Sequence, residues 1–306
     1  MPSEERIPGY AVFCADPLNP RSPDPAFARE FEIARALELT PLLLDHDALE
    51  KRHDAREALR RARVAEPGAG FYRGWMLRAE DYALLYEELG RLGVHLLTTP
   101  AQYAACHHFP AAYPHIAQWS PEVTWIESEH LGDDAALSAA LAPFGDGAVV
   151  LKDWVKSQAA GHWAEACFIP RASDRAAVRR VVARFLELQG ESLVGGLVFR
   201  RYVPLMLVNS KPAEWRAFVL ERKVLGCWPR GEAFDEPPPL DFVTEIARAL
   251  PSPSASIDFA RAETGAWLVI EIGDGQVSEI PAQANPAAIL APLAAAVQRS
   301  PTTTGA

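Results

Sequence analysis

The sequence predicts an α/β domain followed by a larger, two-lobed α+β domain, and three observations carry that reading. Apolar strand-like runs alternate with helical patterns through the first third of the chain. Strand pairs replace that alternation after about residue 122. Between the two lies a stretch dense in proline and aromatic residues, "PAQYAACHHFPAAYPHIAQWSPEVTW", which breaks both rhythms. At 306 residues the chain makes one large or two modest domains, and 49% apolar content supports a substantial core.

The first strand is "YAVFCA" (10–15), the helical pattern "PAFAREFEIARALEL" (25–39) follows, and "PLLLDHDAL" (41–49) opens on a second strand. That is the order of a βαβ unit and implies a parallel sheet between helices. "EALRRARV", "GFYRGWML", "AEDYALLYEELGRLG" and "VHLLTTP" continue it, placing an α/β domain over residues 1–118. Arg73, at the end of one of these strands, is a candidate for holding a substrate anion. Cys106-His107-His108 reads as packing rather than metal ligation, because adjacent side chains point in different directions on a helix or a strand. Residues 119–306 form the second domain, with a small lobe over 119–198 and a large lobe over 199–306. In it, "DGAVVLKDW" reads as a strand answered by "GHWAEACFI", and "RAAVRRVVARFLELQG" as a helix closed by Gly190. "GLVFRRYVPLM" is a further strand, "AEWRAFVLERKVLGCW" a hairpin, "FVTEIARAL" a helix, and residues 255–275 a last hairpin.

Forty acidic against 30 basic residues give a formal charge of −10, so a general nucleic-acid-coating surface is not indicated. The four cysteines are far apart and form no CxxC pair, which suggests neither a zinc site nor a disulfide framework. No apolar signal core and no membrane-spanning run is visible, and the expected location is cytoplasmic.

The chemistry lies in the second domain. Lys152 follows four apolar residues, so it emerges at the end of a buried strand, where a point charge suits phosphate oxygens. The loop from Asp153 to Gly161 carries Lys156 and Ser157 and reads as a cover for bound phosphates, although it lacks the GxxxxGK[ST] spacing of a Walker A loop. Arg200 and Arg201 face opposite ways on an extended segment, one toward an anion and the other toward solvent. Arg216 lies inside an apolar strand and needs either Glu214 or an anionic ligand as partner. If Ala262 pairs with Trp267 in the last hairpin, Asp258 stands opposite Glu271. Like charges so placed repel, and a divalent cation between them reverses the sign, with hard oxygen ligands suiting magnesium.

These elements in order resemble the ATP-grasp superfamily, and more narrowly its clade named for an arginine and two lysines. The resemblance implies that residues 1–118 are a pre-ATP-grasp domain and that a two-lobed ATP-grasp domain follows. It implies that Lys152 binds the α- and β-phosphates beneath the loop of Lys156 and Ser157, that Arg201, Tyr202 and Val203 form the adenine hinge, and that Arg216 neutralises the γ-phosphate or an acyl-phosphate. Asp258 and Glu271 become magnesium ligands; the family's usual Glu-x-Asn reads Glu271-Ile272-Gly273 here, and Asp274 is the candidate substitute for the missing ligand. The implied activity is an ATP- and Mg2+-dependent ligation of a carboxylate, small-molecule or peptide, to an amine or similar nucleophile through an acyl-phosphate. A phosphotransferase, or a nucleotide-binding regulatory module without turnover, fits the same residues.

Overall fold

The structure, a computed structural model of the chain, describes residues 8–155, 158–232 and 236–299. Lys156 and Ser157 therefore lie outside the described residues. The chain divides into two compact units: one comprises Met1–Cys106, Trp215–Ile257 and Gly273–Ala306, the other His107–Glu214 and Asp258–Ile272.

The first unit is built on a parallel sheet of β1 (Gly9–Cys14), β2 (Thr40–Leu44), β3 (Gly68–Arg73) and β4 (Val94–Leu96), in the order β2-β1-β3-β4. All six residues of β1 are buried, as a central parallel strand covered on both faces requires. Its alternate side chains enter different cores: Tyr10, Val12 and Cys14 pack with Tyr82, Leu85 and Leu89 of helix Ala79–Arg91. Ala11 and Phe13 pack with Ile289, Leu290 and Val297 of helix Ala287–Gln298. That last helix corrects the expected boundaries. Its apolar stripe is used up covering the N-terminal sheet, so the C-terminal segment belongs to the first unit rather than to a continuous domain over 119–306.

The second unit carries an antiparallel sheet of β5 (Val123–Glu127), β6 (Val149–Asp153), β7 (Phe168–Ile169) and β8 (Gly196–Arg201), ordered β5-β8-β6-β7. Helices Asp134–Leu141 and Arg175–Gln189 bury Leu141, Val178, Val181 and Phe185 against Val149, Leu151, Leu197 and Phe199. The strand expected in "GHWAEACFI" shrinks to β7. Residues Ala159–His162 and Trp163–Cys167 are helical turns, a run too short for its apolar spacing to separate helix from strand. A small hairpin, β9 (Leu207–Val208) and β10 (Lys211–Pro212), turns through Asn209 and Ser210, both at positive φ.

The remaining strands, β11 (Glu214–Leu220), β12 (Lys223–Arg230), β13 (Ser254–Arg261) and β14 (Trp267–Asp274), form a sheet in the order β12-β11-β13-β14. Glu221 and Arg222, at φ 49° and 66°, make the two-residue turn of the expected β11–β12 hairpin.

The β13–β14 hairpin has two registers. At its turn the Ala262 N–H donates to Ala266 O and the Gly265 N–H to Ala262 O, with Gly265 at φ 92°. This is a three-residue loop, one shorter than the sequence suggests. At its base the Gly275 N–H donates to Ser254 O, and a Cβ on Gly273 would lie 3.0 Å from Ser256 Oγ. These pairings differ by one residue, so β14 carries one extra residue between its ends. Val269 and Ile272 are both buried although three apart, which places the break between them. Extending the base register two residues from the Gly273–Ser256 pair sets Asp258 against Glu271. The expected opposition thus arises beyond a bulge rather than from the turn. Among the described residues no helix is long and apolar enough to cross a membrane.

Candidate active site

Lys152 ends a buried run in β6, itself only 8% exposed, with its Nζ 5.1 Å from the centre of the Phe109 ring. A lone ammonium there would be costly. The Glu271 carboxylate of β14 meets it: Lys152 Nζ donates to Glu271 Oε1. The Asp258 carboxylate is almost fully buried on the facing strand. Two carboxylates and one ammonium are thereby gathered in the second unit, as the sequence reading expects. The cation that relieves Glu271, however, is a lysine of the chain itself.

Beside this group opens a small cleft lined by Pro121, Val150, Trp163, Arg200–Val203, Leu205, Leu268 and Ile270. Three rings shape it: the centroid of Tyr202 lies 5.0 Å from that of Phe168 in an edge contact and 6.2 Å from that of Trp163, and Trp163 and Phe168 stack at 5.7 Å. A flat apolar slot bordered by irregular backbone after β8 fits a purine. The Arg201 N–H donates to Glu122 O and the Tyr202 N–H to Ala148 O, while Val203 precedes Pro204, which has no N–H. Val203 is therefore the hinge residue whose N–H and carbonyl are placed to read a base edge.

The two arginines of the hinge separate as extended geometry demands. Arg201 turns outward, ion-paired with Glu122 and lying 5.3 Å from the Phe144 ring. Arg200 turns inward: its Nη1 donates to Ile270 O at 2.6 Å. Burial pulls its guanidinium below the ordinary value, against the opposing influence of the Glu271 and Glu214 carboxylates. The sequence raised both residues, and only the strand's inward face distinguishes them.

Asp274 does not join Glu271. It lies on the Ile272 face of β14, fully buried in the first unit, where Oδ1 accepts from the Gln276 N–H at 2.9 Å and from Gln276 Nε2 at 3.1 Å. Oδ2 has no partner, and burial raises the carboxyl to about 7. Odd and even positions of a strand point to opposite sides, so three residues of separation carry this carboxylate away from its supposed neighbour. The space at Gly273 is instead filled by the Ser278 and Ser256 hydroxyls, 2.9 and 3.0 Å from where a Cβ would stand. Arg216, buried in β11 of the first unit, donates Nη1 to Glu279 O at 3.0 Å.

Arg73 is neither a surface arginine nor a free anion binder. It is 2% exposed, pairs with Glu30 through Nε and Nη2, and donates Nη1 to Gln276 O and Ser278 O at 2.9 and 2.7 Å. His107 and His108 also pack, the latter edge-on to Trp154 at 5.6 Å. Cys14, Cys106 and Cys167 are buried free thiols and Cys227 is a half-buried one.

Residues 143–295, which span β6 to β14 and thus the lysine, the hinge and both carboxylates, match family 3 of the ATP-grasp domain clade named for an arginine and two lysines. The chain belongs to that family. It is therefore an ATP-grasp enzyme, using ATP with Mg2+. Among solved structures, D-cycloserine synthetase DcsG superposes with a TM-score of 0.61 at 15% identity, covering 94% of this chain and 99% of that one. The RimK domain ATP-grasp protein from Sphaerobacter thermophilus gives 0.54 at 17% identity, covering 89% and 92%. D-alanine–D-alanine ligase from Bacillus anthracis, complexed with ATP, gives 0.52 at 13% identity, covering 88% and 86%. At these identities the likeness is one of fold. No curated protein matches the chain.

Proposed function

We propose that this ATP-grasp protein is a ligase that joins a carboxylate to an amine through an acyl-phosphate. The observation that carries the reading is the Lys152–Glu271 pair beside the aromatic slot, all within one unit. The adenine enters between Trp163, Tyr202, Leu268 and Ile270 and meets the Val203 backbone. Lys152 then exchanges Glu271 for phosphate oxygens. Asp258 and Glu271 fit a magnesium ion, since both offer hard carboxylate oxygens on facing strands within one unit. Bound there, the ion would supply charge neutralisation at the phosphates. Catalysis by the chain is otherwise positioning and electrostatics. A substrate carboxylate oxygen attacks the γ-phosphorus and ADP leaves; the amine attacks the acyl carbon, inorganic phosphate leaves, and the nitrogen gives up a proton.

Ligation is the chemistry named for several proteins of the same fold, including an L-amino acid ligase from Bacillus licheniformis and the ligase PsnB complexed with precursor peptide. A small-molecule or peptide carboxylate is accordingly the proposed substrate class. Arg216 is the proposed γ-phosphate residue, and Lys156 and Ser157 the proposed phosphate cover. The test is hydroxylamine trapping: wild type with Mg-ATP and a carboxylic acid library should release ADP and form a hydroxamate. Mg-ATP binding by calorimetry should weaken at least tenfold in Lys152→Ala. Equal affinity in the two proteins would refute the phosphate assignment. The second reading, nucleotide binding without turnover, is favoured by Gly273 where the family usually has asparagine; Mg-ATP binding without ADP release across all acid and amine pairs would establish it.

A further inference from the structure

We propose that Arg200 is a positioning residue, which holds the extra residue of β14 so that Ile270 faces the nucleotide slot while Glu271 faces Lys152. This rests on the ATP-binding reading of the slot.

The argument begins with a difficulty. In a regular strand, consecutive side chains point to opposite faces, so Ile270 and Glu271 should not serve one site. Here both do: Ile270 lines the cleft, and Glu271 accepts from Lys152 Nζ. The one-residue difference between the hairpin's two registers resolves it, since a bulge turns two successive residues toward the same side. A bulge has a cost. It takes a backbone group out of the ladder, and a carbonyl buried without a donor is unfavourable. The Arg200 Nη1 donates to the Ile270 carbonyl at 2.6 Å, a charged donor supplied from another strand to the one peptide that separates the two side chains. Arg200 also borders the cleft itself, and its charge lies close enough to Glu271 and Glu214 to be felt by both. Its neighbour Arg201, bound to Glu122 outside, provides none of this.

The guanidinium is suited to the task in a way that a lysine is not. Its planar fork offers five donors, so one N–H can hold the carbonyl while others remain directed toward the carboxylates. A merely structural arginine would stabilise the hairpin without changing what the slot and Glu271 do together. A positioning arginine changes both.

The experiment compares wild type, Arg200→Met and, as control, Arg201→Met. Two readouts are used: amide hydrogen exchange over residues 266–274 in the metal-free, nucleotide-free protein, and Mg-ATP affinity by calorimetry. Arg200→Met should exchange at least tenfold faster at Ile270 to Ile272 and bind Mg-ATP at least tenfold more weakly, with Arg201→Met within twofold of wild type on both. ADP affinity without magnesium should fall less than Mg-ATP affinity, because Glu271 is needed only with the ion. Faster exchange with Mg-ATP affinity within twofold of wild type would reduce Arg200 to a structural role and overturn the proposal. If Arg200→Met does not fold, Arg200→Gln, which keeps a donor but is too short for this reach, is judged by the same criteria. Should wild type itself bind no Mg-ATP, the nucleotide reading fails, while the exchange comparison still decides whether Arg200 holds the bulge.

Discussion

Replacing Glu271 by glutamine should destabilise the metal-free protein, and by more than replacing Lys152 does. The reason is the unequal burial of the two partners: the Lys152 side chain is 10% exposed and that of Glu271 38%. Removing one member of a fully buried pair costs about 3–5 kcal/mol, because the other charge is left uncompensated in a poor solvent. Glutamine still offers an oxygen to the ammonium, and water reaches the glutamate side of the pair, so the expected cost of Glu271→Gln is about 1–2 kcal/mol. At roughly 2–3 °C per kcal/mol for a chain of this size, Tm should fall by about 2–6 °C. Lys152→Met removes the buried charge itself. The methionine stem keeps the contact with Phe109, and the Glu271 left behind hydrates, although it then faces Asp258 without the ammonium. A change within about 1 kcal/mol is expected. With Mg-ATP the order is different. At a hundredfold excess over Kd, wild type should gain about 2.7 kcal/mol of apparent stability, and both variants should lose most of that shift. Thermal melts of the three proteins with and without Mg-ATP test this directly. A Glu271→Gln protein that melts at or above wild type without ligand would refute the ion-pair argument, and one that keeps the full Mg-ATP shift would refute the carboxylate's role.

Three further outcomes follow from the same geometry. Asp274, raised to about 7 from an ordinary 3.8, holds its proton more tightly folded than unfolded. Its contribution to stability is therefore present at acid pH and lost as pH rises from about 4 to 7, by roughly 1.4 kcal/mol per unit. Against a wild-type background, Asp274→Asn should gain about 2–3 kcal/mol in urea unfolding between pH 5 and pH 8, with near-normal turnover; an equal pH slope in both proteins would contradict it. Arg73→Met should cost about 3–5 kcal/mol through Glu30 and the two carbonyls it abandons, while the folded fraction keeps wild-type Mg-ATP affinity. Arg216→Met should leave Mg-ATP affinity within threefold of wild type and lower hydroxamate formation at least a hundredfold; undiminished formation would remove Arg216 from the chemistry.

Much of the fold was legible because its elements carry local signals. The apolar run of "YAVFCA", the capped run of Arg175–Gln189 and the two positive-φ residues of the β11–β12 turn each declare themselves within a few residues. What did not show is where a finished element docks. Helix Ala287–Gln298 is apolar over a broad stripe, and nothing in that stripe says that it covers Phe13 and Phe71, over two hundred positions earlier, rather than the strands beside it in sequence. The division of the chain into units failed for that reason. Short apolar runs failed for another: Trp163–Cys167 satisfies either periodicity, and its neighbours chose the turn.

The hairpin joins both limits. Pairing carboxylates by counting back from a glycine turn assumes a regular ladder, and that ladder is irregular at the place where the chemistry lies. The shorter loop shifts the register by one, which on its own would send Glu271 to the face away from Asp258. The bulge shifts it back. Two departures cancel at the base of the strand but not at its tip, and in the stretch between them Ile270 and Glu271 are freed from strict alternation. A regular hairpin would have had to choose between lining the slot and meeting Lys152; the irregular one does both, with the strand's other face, Ile272 and Asp274, left to the core.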